Sequence, residues 1–221
     1  DDLGSRGLGD VYKRQLHEVA AELSEDSFSI NYEGNTNTVP KEYIRKTMLI
    51  NTLNFVFTDF LTSVKYKIEN YSDTDAMVYQ IDKALDQGIP LTQGRFMRDM
   101  NLKEFKTLFT GNIVMPMADE KVKILNNVGD ILVTKYGGDW INFIDDGPKK
   151  LYDNGKGLVE RLVRDFKRFD DHSIFENEKV YFLKLAQLAF WGIHRELSKR
   201  YFYIEDMENM TAFADYIIPV A

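Results

Sequence analysis

Apolar residues recur at helical spacing along most of this chain, and Gly, Pro and capping side chains cut the pattern into helix-length pieces. From Glu42 to about Phe60, residues such as Ile44, Met48 and Phe55 cover most of a helix circumference, with Pro40 just before the start. That spread predicts a buried central helix. Val64, Tyr66 and Ile68 alternate with Lys65 and Lys67, which predicts one short strand or extended edge. Ala76 to Gln87 reads as a second helix, stopped by Gly88 at the C-terminal cap with Pro90 two residues on. Asn101-Leu102-Lys103-Glu104 carries the side chains of a capping box and opens a third.

Met117 to Tyr136 reads as a long amphipathic helix with Val122, Leu125, Ile131 and Leu132 buried, ended by Gly137-Gly138. Asp139 can cap the next turn, which carries Trp140, Ile141, Phe143 and Ile144. Pro148 suits the first turn of a segment running through Leu158, Leu162 and Val163 to Phe166, and Lys179 to Arg200 reads as a further helix. Roughly eight helices, with at most a short strand or hairpin, define a single all-α domain of the globular, non-bundle kind.

Residues 1–15 show neither helical nor strand periodicity, and Asp10-Val11-Tyr12-Lys13-Arg14-Gln15 looks like a translated sequencing adaptor. They are set apart as a leader outside the fold, which leaves 16–221 as the helical domain. Tyr216 to Ala221 is apolar and uncapped, so the domain is expected to be incomplete at its C-terminus and the chain truncated at both ends.

Composition narrows the chemistry. With no Cys there is no disulfide framework, no thiol nucleophile and no cysteine-ligated metal, and the three His form no H-E-x-x-H pair. No metal and no cofactor is expected. The net charge of −7 disfavours stable binding to a nucleic-acid backbone, and Asp1, Asp2 and Asp10 offset Arg6, Lys13 and Arg14, so the leader does not alter that balance. No segment holds the ~20 consecutive apolar residues needed to span a bilayer. A soluble chain in the reducing cytoplasm is the expectation; oligomeric state is not written in the composition.

Local motifs leave the activity open, because there is no Gly-rich phosphate loop, nucleophile elbow or Ser/His/Asp signature. One feature draws the eye: Asp215 lies among Phe213, Ala214, Ile217, Ile218 and Pro219. Such a carboxylate is paired, exposed, or held where its charge is used. Asn54, Lys184 and Gln187 are polar residues in apolar helical surroundings, where a core amide or an ordinary solvated face competes with ligand contact.

Ordered motifs along the chain add a resemblance. Leu53-Asn54-Phe55-Val56-Phe57 looks like an L-N-F-x-F-W element, and Ala84 to Thr92 (ALDQGIPLT) looks like A-L-D-E-G-I-P-I-T. Met115-Pro116, Ile124-Leu125-Asn126 and Lys135-Tyr136-Gly137-Gly138 follow in order. Phe169-Asp170-Asp171 and Lys184-Leu185-Ala186-Gln187 are similar to F-R-D and K-R-A-Q, and Phe213 to Pro219 (FADYIIP) resembles F-A-D-Y-R-x-P. Together they resemble the queuosine salvage protein family from about Phe28 to the last residue.

The resemblance implies a helical fold of the DNA-glycosylase-like kind that hydrolyses the N-glycosidic bond of queuosine 5'-phosphate, or of queuosine, and releases queuine for salvage into tRNA modification. It places Asp215 at the anomeric carbon, as nucleophile or as the charge that stabilises an oxocarbenium-like transition state. Phe213 falls on the base contact, and Tyr32, Asn54 and Lys184 are the further substrate-binding candidates. The implied partner is a small nucleotide or nucleoside. Departures are Tyr32 for a His, Thr58 for the Trp of the first motif, and Asp170, Leu185 and Ile217 for Arg. Lost arginines bear on phosphate recognition. The family also continues beyond F-A-D-Y-R-x-P into helices that bring two more Asp to the base. A non-catalytic nucleoside- or nucleobase-binding helical module is the alternative.

Overall fold

Helix α1, Val39–Leu53, is followed by a short antiparallel hairpin in the computed structural model of the chain, which describes residues 39–211. The hairpin pairs β1, Lys67–Ile68, with β2, Tyr71–Ser72. Six helices come next: α2 Asp73–Asp86, α3 Gly94–Asp99, α4 Leu102–Leu108, α5 Ala118–Lys135, α6 Trp140–Asp145 and α7 Leu158–Asp165. A 3-10 turn at Lys167–Phe169 leads into a second hairpin, β3 His172–Phe175 against β4 Glu178–Tyr181. Helix α8, Lys184–Leu197, and a 3-10 turn at Met207–Asn209 complete the described order. The all-α expectation holds, with sheet confined to the two hairpins among the described residues. Residues 40–211 lie in one compact unit.

Local punctuation explains most helix limits. Gly88 takes φ +75° after α2, where its N–H bonds to Leu85 O at 2.9 Å and the Ile89 N–H to Ala84 O at 3.0 Å. A residue with a Cβ resists that left-handed conformation. Asn101 and Glu104 exchange bonds of 3.0 Å each and form the capping box of α4. Asp139 Oδ1 accepts the Ile141 N–H at 3.0 Å and caps α6.

Helix α5 is the central element. A Cβ at its Gly129 would lie 2.3 Å from Arg98 N and 2.6 Å from Gly94 O, so α3 crosses α5 nearly backbone to backbone. Asn126 Nδ2 uses that approach and donates to the carbonyls of Met97, Arg98 and Met100 at 2.8–2.9 Å, closing the end of α3. Beyond α5, Trp140, Phe143, Phe166 and Phe169 are fully buried and meet edge to face or tilted, with centroids 4.8–6.4 Å apart. Such pairs are worth about 0.5–1.5 kcal/mol each beyond the burial itself.

Three expectations are corrected. The first helix ends at Leu53, not near Phe60, for reasons that belong to the site below. Residues 146–157 form turns, so α7 starts at Leu158 and not near Pro148. Arg161 holds that region by donating to Phe143 O at 2.7 Å and Lys156 O at 2.9 Å. Lys179 to Tyr181 is strand, and α8 begins only at Lys184. The apolar and charged residues of 172–181 alternate weakly and face solvent on both sides, which gives periodicity little to report. Ile131 is half-buried; Lys121 joins Val122, Leu125 and Leu132 on the buried side of α5.

Candidate functional site

Asn54, Lys184 and Thr211 occupy positions that the fold links into one chain of contacts. Tyr43 on α1 reaches Gly192 O on α8 at 3.4 Å and feels Arg195 and Glu196, while Thr47, one turn on, packs against Gly192. The two helices are thus in contact through Tyr43, Thr47 and Gly192. Arg168 continues the link, since its Nε donates to Thr52 O at 2.7 Å and its Nη2 to Asn54 O at 3.3 Å. Three residues later, Asp171 O accepts the Phe182 N–H at 2.9 Å and delivers the chain to Lys184. Motif elements far apart in sequence are thus linked in series: Arg168, just before F-D-D, holds the L-N-F carbonyls, and F-D-D is bonded to Phe182, two residues before K-L-A-Q.

The Leu53–Phe57 turn has an unusual support. Lys121 of α5 is fully buried, and its ammonium donates to Phe55 O and lies 3.4 Å from both Leu53 O and Val56 O. It also sits 3.7 Å from the centroid of the Phe55 ring, with Arg168 at 4.6 Å from the same ring. Five successive carbonyls, Thr52 to Val56, are therefore taken by two cations. The end of a helix carries partial negative charge and orphan carbonyls, so cations are suited to it. Val56 takes φ +45°, a strained conformation for a β-branched residue that costs about 1–3 kcal/mol unless its surroundings impose it.

These cations are not ordinary. Burial first, and the charge of Arg168 second, push the Lys121 ammonium down to about 7, while the three carbonyls act in the opposite direction. Burial likewise lowers Arg168 to about 10, against the pull of Asp171. Asn54 itself is half-buried, and its Oδ1 accepts from Thr74 Oγ1 at 3.0 Å. Its amide NH2 has no hydrogen-bond partner among the described residues.

At the start of α8, Lys184 is half-buried and follows Leu183, whose φ is +55°. One turn on, Gln187 is 1% exposed, which overturns the reading of an ordinary solvated face. Its Oε1 accepts the Thr211 N–H at 2.7 Å and its Nε2 donates to Thr211 Oγ1 at 2.8 Å. Thr211 stands two residues before Phe213 and four before Asp215. Asp215, Phe213 and Tyr32 lie outside the described residues, as does the 1–15 leader.

Asp170 accepts from His172 Nδ1 at 3.0 Å and lies 3.4 Å from Lys179 Nζ. Asp170 and Lys179, together with Arg164, Tyr152, Tyr181 and Leu183, line an open groove of about 520 Å³ beside the start of α8. Among the described residues, no group of three or more His, Cys, Asp or Glu converges as a metal site, and no helix is long and apolar enough to cross a membrane.

Sequence reasoning missed Lys121 and Arg168. A signal existed for Lys121: it falls three residues after Ala118 and four before Leu125, on the same helical stripe as buried Val128 and Leu132. For Arg168 there was none, since one cation in a short turn has no periodicity to violate.

Against known proteins, residues 34–221 match the queuosine salvage protein family, and the chain belongs to it. Among similar curated proteins is the queuosine 5'-phosphate N-glycosylase/hydrolase of Mus musculus, 29% identical over 180 residues, 77% of this chain and 52% of that protein. The Bos taurus protein of the same name is 25% identical over 228 residues, covering 99% of this chain and 64% of its own length. The one from Schizosaccharomyces pombe is 29% identical over 165 residues, 71% of this chain and 46% of that protein. The chain thus spans about half to two-thirds of the length of these relatives.

Proposed function

We propose that this protein hydrolyses the N-glycosidic bond of queuosine 5'-phosphate, or of queuosine, and releases queuine for salvage. The observation that carries the reading is the series of bonds by which Arg168 and Asp171 link the L-N-F, F-D-D and K-L-A-Q elements, in a chain that belongs to the queuosine salvage family. In this reading Asp215 faces the anomeric carbon. As the C–N bond breaks, positive charge builds on the ribose, and a preorganised carboxylate stabilises that charge better than water does. Water supplies the new C–O bond at the anomeric carbon, and the base leaves with a proton.

Phe213 offers a π face to the flat heterocycle. Asn54 contributes amide hydrogen bonds, Lys184 a cation to the anionic part of the substrate, and Tyr32 a hydroxyl in place of imidazole. The reaction is proposed to be metal-independent and cytoplasmic, with a small-molecule substrate and no stable nucleic-acid complex. In further proposals, residues 1–15 lie outside the fold and 16–221 form the helical domain.

The test follows free queuine by mass spectrometry after queuosine 5'-phosphate is added to the protein expressed from its complete gene. Asp215→Asn keeps volume and one acceptor oxygen but removes charge, so release should fall at least ~100-fold, about 3 kcal/mol of transition-state stabilisation, with binding little changed. Undiminished release would remove Asp215 from the mechanism. Binding without any release by the wild type would favour the nucleoside-binding module.

A further inference from the structure

We propose that Lys121, seconded by Arg168, is a positioning residue for the substrate: it locks the strained Leu53–Phe57 turn so that the Asn54 amide is presented to the ligand. This rests on the reading above that Asn54 contacts substrate.

Three observations carry it. First, Lys121 is fully buried, and all its hydrogen bonds go to main-chain carbonyls of one short turn, 65–68 residues away in sequence. Among the described residues it forms no ion pair; the charge acting on it is another cation, Arg168. A buried ammonium without a carboxylate is costly, and a Met or Leu would fill the same core position more favourably. The arrangement therefore serves the turn more than the core.

Second, the turn would not hold itself. Val56 adopts φ +45°, and the Leu53 and Thr52 carbonyls have left the helical ladder, so without the cations their preferred state is a continued helix or a hydrated loop. In a continued helix, Asn54 would rotate to another face. Third, the turn is clamped on both sides of Asn54. Arg168 holds the Thr52 and Asn54 carbonyls, Lys121 those of Leu53, Phe55 and Val56, and Thr74 takes the side-chain oxygen. That leaves the Asn54 NH2 aimed by three independent anchors and without a partner of its own among the described residues.

The test compares Lys121→Met, Lys121→Gln, Asn54→Ala and the Lys121→Met/Asn54→Ala pair in the protein expressed from its complete gene, with queuosine 5'-phosphate as substrate. Lys121→Met should raise KM at least 10-fold while thermal stability is unchanged or higher, because a desolvated charge has been removed. A purely structural lysine would instead lower stability in step with activity. Lys121→Gln, which keeps a donor without the charge, should raise KM less than Met does. In the Asn54→Ala background, Lys121→Met should add less than 2-fold, since the residue it aims is gone. If Asn54→Ala raises KM but Lys121→Met does not, the positioning role is overturned and the Asn54 reading stands. If Asn54→Ala leaves KM unchanged, the Asn54 reading falls and takes the proposal with it. Failure of Lys121→Met to fold, with Lys121→Gln folded and unchanged in KM, also overturns it.

Discussion

Gln187 and Thr211 form a reciprocal pair in which one buried carboxamide both accepts the Thr211 N–H, at 2.7 Å, and donates to the Thr211 hydroxyl, at 2.8 Å. The pair ties the K-L-A-Q turn of α8 to the entry of the F-A-D-Y segment. Replacing Gln187 by Leu keeps the volume and strands the Thr211 amide, which should cost about 1–3 kcal/mol. Hydrogen exchange checks this locally: the Thr211 amide should lose its protection while the α5 amides keep theirs. Unchanged protection at Thr211 would show that the pair does not fix the segment.

Asp165 gives the fold an acid-sensitive joint. Its side chain is 6% exposed, and burial alone would raise its pKa, but bonds from Arg164, Tyr136 and Lys135 prevail and hold it at about 2. Folded pKa below the unfolded value means stability that is present above about pH 4 and lost as pH falls toward 2, here about 2–3 kcal/mol. Urea unfolding between pH 7 and pH 2 should show that loss in the wild type. Asp165→Asn should be less stable at pH 7 and should lack that part of the acid dependence.

Gly129→Ala tests the α3/α5 crossing. Helix propensity favours Ala by about 1 kcal/mol, yet its Cβ would fall 2.3 Å from Arg98 N, where backbone cannot yield cheaply. Clash should outweigh propensity and leave a net loss of about 1–3 kcal/mol. A stabilised variant in thermal unfolding would show that the helices separate without cost.

Arg45 and Asp139 supply a double-mutant test. The guanidinium grips the carboxylate at 2.9 Å and 2.6 Å through two nitrogens, while the same carboxylate caps α6. Asp139→Ala should therefore cost more than Arg45→Ala, by the value of the cap, about 1 kcal/mol. The two losses should combine less than additively in equilibrium unfolding, because each single change already breaks the pair.

The limits of α2, α4 and α6 and the family membership were legible in the sequence because both depend on short-range signals. Gly88 stops α2 through its own bond to the residue three before it and that of Ile89 to the residue five before Ile89, and Asn101, Glu104 and Asp139 cap helices within three residues of themselves. Asn54 and Lys184 were likewise singled out as candidates by the motifs that contain them. Tertiary structure alone decided where α1 ends. Leu53-Asn54-Phe55-Val56-Phe57 satisfies a helical pattern, and it leaves the helix because Lys121 and Arg168, 66 and 114 residues from their acceptors in Phe55 and Asn54, claim its carbonyls. The same holds for Gln187, whose amide looks solvated until Thr211, 24 residues on, folds over it. A local pattern reports what a residue's near neighbours favour; whether a charge or an amide is dry depends on which distant elements close around it, and burial sets the strength of every polar contact made there.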